Sequence, residues 1–138
     1  MDITVAVTSK PPVNVPAGNV EGTWVRNTTY IAGGTLTIPK GKSLTIQEGV
    51  TVIFDGTGSS TAPELAVLGN LYSMGTAAKP VLFTLPEAKR IKANIFAGLW
   101  GGIQATPDAG EVVLLYTTIE YTGAPTGAGN ASLYSGVA

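Results

Sequence analysis

The sequence predicts an all-β solenoid, a chain that coils repeatedly through about three short strands per turn. Three observations carry that prediction. The stretch GTLTIPKGKSLTIQEGVTVIF, Gly34 to Phe54, says nearly the same thing three times, as TLTIPKG, SLTIQEG and TVIFDG, with starts at Thr35, Ser43 and Thr51. Apolar and polar residues alternate inside each piece, which is the period of a half-buried strand. Leu44 to Leu65 and Ile46 to Val67 are equally spaced, 21 residues each, a distance that fits one full coil.

Taken in order, residues 9–20 (SKPPVNVPAGNV) hold three prolines and no sustained periodicity. They read as an extended lead-in, so residues 1–19 are expected to be a tether and 20–138 the solenoid domain. In the quoted stretch Leu36, Ile38, Leu44, Ile46, Val52 and Phe54 form the inward set, and Thr35, Thr37, Ser43, Thr45, Thr51 and Ile53 the outward set. Pro39-Lys40-Gly41, Gln47-Glu48-Gly49 and Asp55-Gly56 supply the turns between strands. Further strand runs are expected at Leu65–Val67, Leu71–Met74, Val81–Thr84, Leu99–Ile103 and Val112–Tyr121.

Leu85 to Phe96 breaks the rhythm with an early Pro and Glu followed by helix formers, predicting a short helical excursion around 86–96. Gly123 to Ala138 offers no charged or helical cap, although a terminal coil needs covering, so the solenoid is expected to continue past Ala138. A β-sandwich is the rival architecture, since it too places strands every 8–12 residues, but Asp55-Gly56 is the sole two-residue hairpin signal between strong strand runs.

Composition narrows the function classes. The chain has 138 residues, enough for one domain, with 18 Gly, 9 Pro, 44% hydrophobic residues and 12% charged residues. A formal net charge of -1 gives no global field for nucleic acid or an anionic membrane. The absence of Cys and His removes disulfides, cysteine nucleophiles, histidine bases and the usual zinc ligands. No apolar run reaches the roughly 18 residues needed to span a bilayer, and no signal peptide opens the sequence.

The series TYIAGGTLTIPKGKSLTIQEGVTVIF, ELAVLGNLYSMGTAAKPVLFT, GLWGGIQ and LLYTTIEYTG resembles the opening coils of right-handed parallel β-helix proteins of the pectin-lyase-like type. It is similar in particular to exported or lipid-anchored surface proteins of Gram-negative bacteria. The resemblance covers about residues 20–123 and implies an extracytoplasmic home, at the bacterial cell surface or secreted, for a chain of many coils. It implies no activity, because that fold hosts lyases, hydrolases, adhesins and structural stalks.

The candidate site residues are few. Lys89, Arg90 and Lys92 form the one basic cluster, on an excursion where a polyanion or a catalytic base would sit, although a solvated face explains them as well. Trp100, Tyr116 and Tyr121 offer stacking surfaces for sugars, against the alternative that they are core aromatics. Trp24 is expected to plug the first coil and Trp100 to pack beneath the excursion.

Asp2, Asp55, Asp108, Glu48 and Glu64 form no outward pair of the kind a glycosidase or calcium site uses, so no catalytic residue, metal or cofactor is expected. Lys40-Gly41-Lys42-Ser43 mimics a phosphate loop, but Leu36 stands where the motif needs Gly and Leu44 begins a strand. Asn27-Thr28-Thr29 and Asn130-Ala131-Ser132 match the glycosylation sequon.

The expected function is therefore a noncatalytic surface scaffold, adhesin, or module recognising a glycan or an outer-membrane protein partner. The alternative is the N-terminal piece of a polysaccharide lyase or glycosidase whose catalytic coils lie beyond Ala138. Association through an open solenoid edge is expected in either case.

Overall fold

Thirteen short strands, all paired in parallel, form three sheets in the computed structural model, which describes residues 11–56 and 62–122. Sheet I holds β1 (Val13–Val15), β4 (Thr29–Ala32), β7 (Thr51–Ile53), β10 (Val81–Thr84) and β13 (Thr117–Ile119), paired in that order. Sheet II runs β2 (Gly18–Asn19), β5 (Leu36–Ile38), β8 (Leu65–Val67) and β11 (Ile103–Ala105). Sheet III runs β3 (Gly22–Trp24), β6 (Ser43–Ile46), β9 (Asn70–Met74) and β12 (Val112–Leu115). Each strand thus pairs with the strand three places on, and the chain visits sheets I, II and III in strict rotation. This wiring is consistent with a parallel β-solenoid.

Strands this short cannot bury an apolar face alone, so side chains stack in columns between successive coils. Val13, Tyr30, Val52, Phe83 and Ile119 are register partners along sheet I. Gly18, Leu36, Leu65 and Ile103 line sheet II, and Gly22, Leu44, Leu71 and Val112 line sheet III. Leu36, Ile38, Leu44, Ile46, Val52 and Phe54, the predicted inward set, are all fully buried. Each such side chain contributes about 1.5–3 kcal/mol of transfer free energy, largely offset by the entropy of ordering the chain.

Among the described residues three polar side chains are buried, Thr28, Ser73 and Thr84. Ser73 is fully buried on β9, where its neighbours in register are Ile46 and Leu114. Its hydroxyl shares a 2.7 Å hydrogen bond with Thr117 Oγ1, and Thr117 Oγ1 in turn donates to the Leu115 carbonyl at 3.0 Å. A buried hydroxyl is tolerated because it is paired.

The corners carry the turn chemistry. Between sheets II and III, Gly69 lies so close to the coil beneath that a Cβ there would fall on the Lys42 and Pro39 carbonyl oxygens. Beside it, Asn70 Nδ2 donates to Ser43 Oγ at 3.0 Å and Asn70 Oδ1 accepts the Glu111 amide at 2.7 Å, linking three successive coils. Between sheets III and I, Gly49 adopts φ +73 directly over Asn27, itself at φ 57.

Several expectations are corrected. The 21-residue spacing does not measure a coil: Leu44 pairs with Leu71 on sheet III, whereas Leu65 pairs with Leu36 on sheet II. The cause is the interval of residues 54–64 between β7 and β8, against four residues between β5 and β6 and between β6 and β7. Val112 to Tyr121 is two strands on different sheets, broken at Tyr116, whose φ of 42 turns the chain from sheet III to sheet I. Leu99 to Gly102 precedes β11 rather than forming it.

The excursion is two single 3-10 turns, Glu87–Lys89 and Lys92–Asn94, with no α-helix. Within the stretch read as a lead-in, β1 and β2 pair with β4 and β5, because even proline-rich segments leave enough amides to join a parallel edge. Asp2 and the stretch Gly123 to Ala138, with its Asn130 sequon, lie outside the described residues.

Candidate functional site

The corner between sheets I and II is where the chain departs furthest from regular coils. In successive coils it is built by Gly33-Gly34, by Asp55-Gly56 with Pro63-Glu64, and by the excursion from Leu85 to Gly102. Glu120, Tyr121 and Thr122 follow β13 on the same corner.

The excursion is fastened at several points. Lys89 Nζ pairs with Asp55 Oδ1 at 2.6 Å, tying the first 3-10 turn to the coil below. Arg90 Nε donates to the Leu85 carbonyl at 2.9 Å, and Asn94 Nδ2 donates to the Lys89 carbonyl at 2.9 Å. At the return, the Gly101 amide donates to Pro63 O at 2.8 Å and the Leu65 amide to Gly102 O at 3.0 Å.

Trp100 anchors the base. It is fully buried and stacks near-parallel to Phe54, with ring centres 4.9 Å apart, and to Phe83 at 6.2 Å. Its indole nitrogen donates to the Glu120 carbonyl at 2.7 Å. Offset parallel rings of this kind contribute beyond the area they bury. The aromatic candidate for sugar stacking thus presents no exposed surface.

The structure brings some candidate residues together and separates others. Lys89, Arg90 and Lys92 share the corner with Tyr121, which is half-buried against the core at φ 63. Tyr116 stands apart on the corner between sheets III and I, 63% exposed, next to Leu115 and the register partner of Leu115, Met74. Trp24 lies inside the first coil, stacked on Tyr30 at 4.5 Å, and the Val25 amide donates to the Tyr30 hydroxyl at 2.8 Å.

The carboxylates are in varied surroundings. Asp55 is held by Lys89, Glu120 accepts a 2.7 Å hydrogen bond from buried Thr84, and Glu111 accepts from Tyr72 at 2.8 Å. The bond to Glu111 pushes the Tyr72 hydroxyl pKa up. Backbone hydrogen bonding, then the Arg26 guanidinium, holds the Glu48 carboxyl below the ordinary range. Glu64 differs from all of these: partial burial at the sheet I to II corner raises its pKa.

Reading the excursion for its basic residues alone missed its apolar ones. Ile91, Ile95 and Phe96 are exposed at 53%, 38% and 66%. The signal was present in IKANIF, an apolar set matching neither strand alternation nor a buried helical stripe.

Comparisons with protein-family models, with curated proteins and with solved structures return no match to this chain.

Proposed function

We propose that this chain is a noncatalytic, extracytoplasmic surface protein, a right-handed parallel β-helix of the pectin-lyase-like type that displays recognition surfaces for a glycan or a protein partner. One observation carries the reading. The three-sheet stack devotes its interior to apolar columns, and several of its carboxylates are engaged in local pairs: Asp55 with Lys89, Glu48 with Arg26, Glu111 with Tyr72 and Glu120 with Thr84. Carboxylates held in this way cross-link coils, which suits a rigid display scaffold. Placement at a bacterial surface, with or without a lipid anchor, belongs to the same reading and rests on the sequence resemblance.

The free edges bear on partners. Among the described residues β11, β12 and β13 are each paired on one side, and the outward residue Leu115 and the inward residue Val112 of the edge strand β12 are exposed. Unpaired parallel edges with apolar neighbours favour association with another chain. Sedimentation velocity of the purified protein tests this part of the reading, a single monomeric species at high concentration counting against it.

A second reading, a polysaccharide lyase, draws support from Glu64, which partial burial holds at a raised pKa on the same corner as Lys89 and Arg90. Incubation of the purified protein with acidic polysaccharides separates the two. Calorimetric binding without unsaturated products is the expected result, and sustained formation of unsaturated products overturns the scaffold reading.

A further inference from the structure

The excursion combines three features that the coil stack does not require. Between its buried ends, Leu85 and Trp100, it turns three apolar side chains outward, Ile91 53%, Ile95 38% and Phe96 66% exposed, in a protein whose remaining Phe and Trp side chains among the described residues are buried. Its charge is one-sided beyond the first turn, with Arg90 and Lys92 and no acidic residue between Ala88 and Pro107. Its backbone is tied to the coil below by Lys89 on Asp55 and braced within itself by Arg90 on the Leu85 carbonyl and Asn94 on the Lys89 carbonyl, so the apolar tips are presented rather than trailing.

Exposed aliphatic and aromatic side chains cost free energy in water, and a cluster of them marks an interaction surface. The chemistry of the surroundings identifies the partner. Lys89 is neutralised by Asp55 and Glu87 opens the first 3-10 turn, while Arg90 and Lys92 form no ion pair among the described residues. An apolar tip interleaved with uncompensated cations matches the boundary of an anionic bilayer, where rings and aliphatic chains enter the acyl region while Lys and Arg remain among the headgroups.

We propose that residues 90–96 form an interfacial foot, with Ile91, Ile95 and Phe96 entering the headgroup region of an anionic lipid bilayer and Arg90 and Lys92 pairing with its phosphates. The net charge of -1 on the whole chain does not oppose this, because over distances beyond about 10 Å salt screens the remaining charges. The foot lies at one corner of the stack, so contact there leaves the outer faces of all three sheets clear. The proposal stands independently of the display reading above, since polysaccharide binding and lipid binding are separate measurements.

Co-sedimentation of the full chain with vesicles tests it. Two compositions are used, phosphatidylcholine alone and phosphatidylcholine mixed with phosphatidylglycerol. The unmodified protein is expected in the pellet with the anionic vesicles and far less with the neutral ones, with added salt returning it to the supernatant. Lys92→Glu is expected to lower partitioning by about fivefold or more, and Phe96→Ser by about tenfold. Both side chains are exposed, so circular dichroism should show the fold unchanged in each variant. Retention of the unmodified protein in the supernatant with both vesicle types overturns the proposal, as does equal sedimentation of unmodified protein and a folded Ile91→Ser, Phe96→Ser double variant.

Discussion

The Trp100 indole nitrogen donates a 2.7 Å hydrogen bond to the carbonyl of Glu120, joining the root of the excursion to the end of the strand that follows in the next coil. With Phe54 and Phe83 stacked near it, Trp100 binds three successive turns of the chain at one corner. Trp100→Ala should therefore destabilise by about 3–5 kcal/mol, the range for removing a large buried aromatic. Trp100→Phe, which keeps an apolar ring but leaves the Glu120 carbonyl without its donor, should lose roughly 1–3 kcal/mol. Urea unfolding of the two variants checks both the size and the order.

At Gly69 the coil beneath leaves no room for a side chain, because the obstructing atoms are the backbone carbonyl oxygens of Lys42 and Pro39. Gly69→Ala should destabilise by about 1–3 kcal/mol or more, since backbone yields less readily than a flexible side chain. Gly41→Ala serves as the contrast: a Cβ there meets nothing within 4 Å, and only its φ of +80 opposes the change. Thermal midpoints should rank Gly69→Ala below Gly41→Ala.

Asn70 bridges the coils above and below through both ends of its amide. Replacement by Ala should remove about 1–2 kcal/mol of stability, and replacement by Asp, which lacks the NH₂ donor to Ser43, should restore part of it. Amide hydrogen exchange at Glu111 should quicken in Asn70→Ala and remain slow in Asn70→Asp.

Glu64 supplies a dependence on pH. Partial burial raises its folded pKa above the ordinary 4.5, so its ionisation opposes folding at neutral pH and ceases to matter once both states are protonated. Glu64→Gln should therefore melt higher than the unmodified protein at neutral pH, with the gain vanishing as pH falls below the ordinary carboxylate value. A constant difference across the acid range would show that desolvation of the charge is not its source.

Glu48 carries the opposite sign. Its pKa is lowered by backbone hydrogen bonding and by Arg26, so its contribution is present above 4.5 and is lost as pH falls through the lower folded value. The Arg26 and Glu48 side chains are 53% and 30% exposed, so the effect should be small and shrink with salt. Glu48→Gln melting curves at low and high ionic strength should converge.

The inward set Leu36, Ile38, Leu44, Ile46, Val52 and Phe54 was legible in the sequence because a strand alternates with a period of two, and that period is local. Register was not legible. It depends on the number of residues between strands, and the sequence from Phe54 to Leu65 carries no periodic signal. Tyr116 escaped for a different reason: nothing in LLYTTIEY marks a tyrosine that adopts a left-handed backbone, since Gly or Asn is the usual residue there.

At the candidate site, the basic cluster could be located but not its pairing. Lys89 and Asp55 meet only because two coils of unequal length stack, and no spacing rule relates them. Burial of Trp100 was the alternative to sugar stacking, because most aromatics of a half-buried β protein are core residues, whereas outward Phe96 runs against the tendency of Phe to turn inward.

Along the first sheet the register partners Val13, Tyr30, Val52, Phe83 and Ile119 lie 17, 22, 31 and 36 residues apart, while the strands stay three or four residues long. Every coil still climbs by a single inter-strand step of about 4.8 Å. Height and girth are thus independent in this molecule. Extra sequence widens a corner without lengthening the tower, and closing a longer loop adds only about 0.6 kcal/mol per doubling. The corner between the first two sheets is accordingly a natural grafting point, where a foreign peptide replacing residues 91–96 would be carried on an unchanged column of Leu, Ile, Val and Phe.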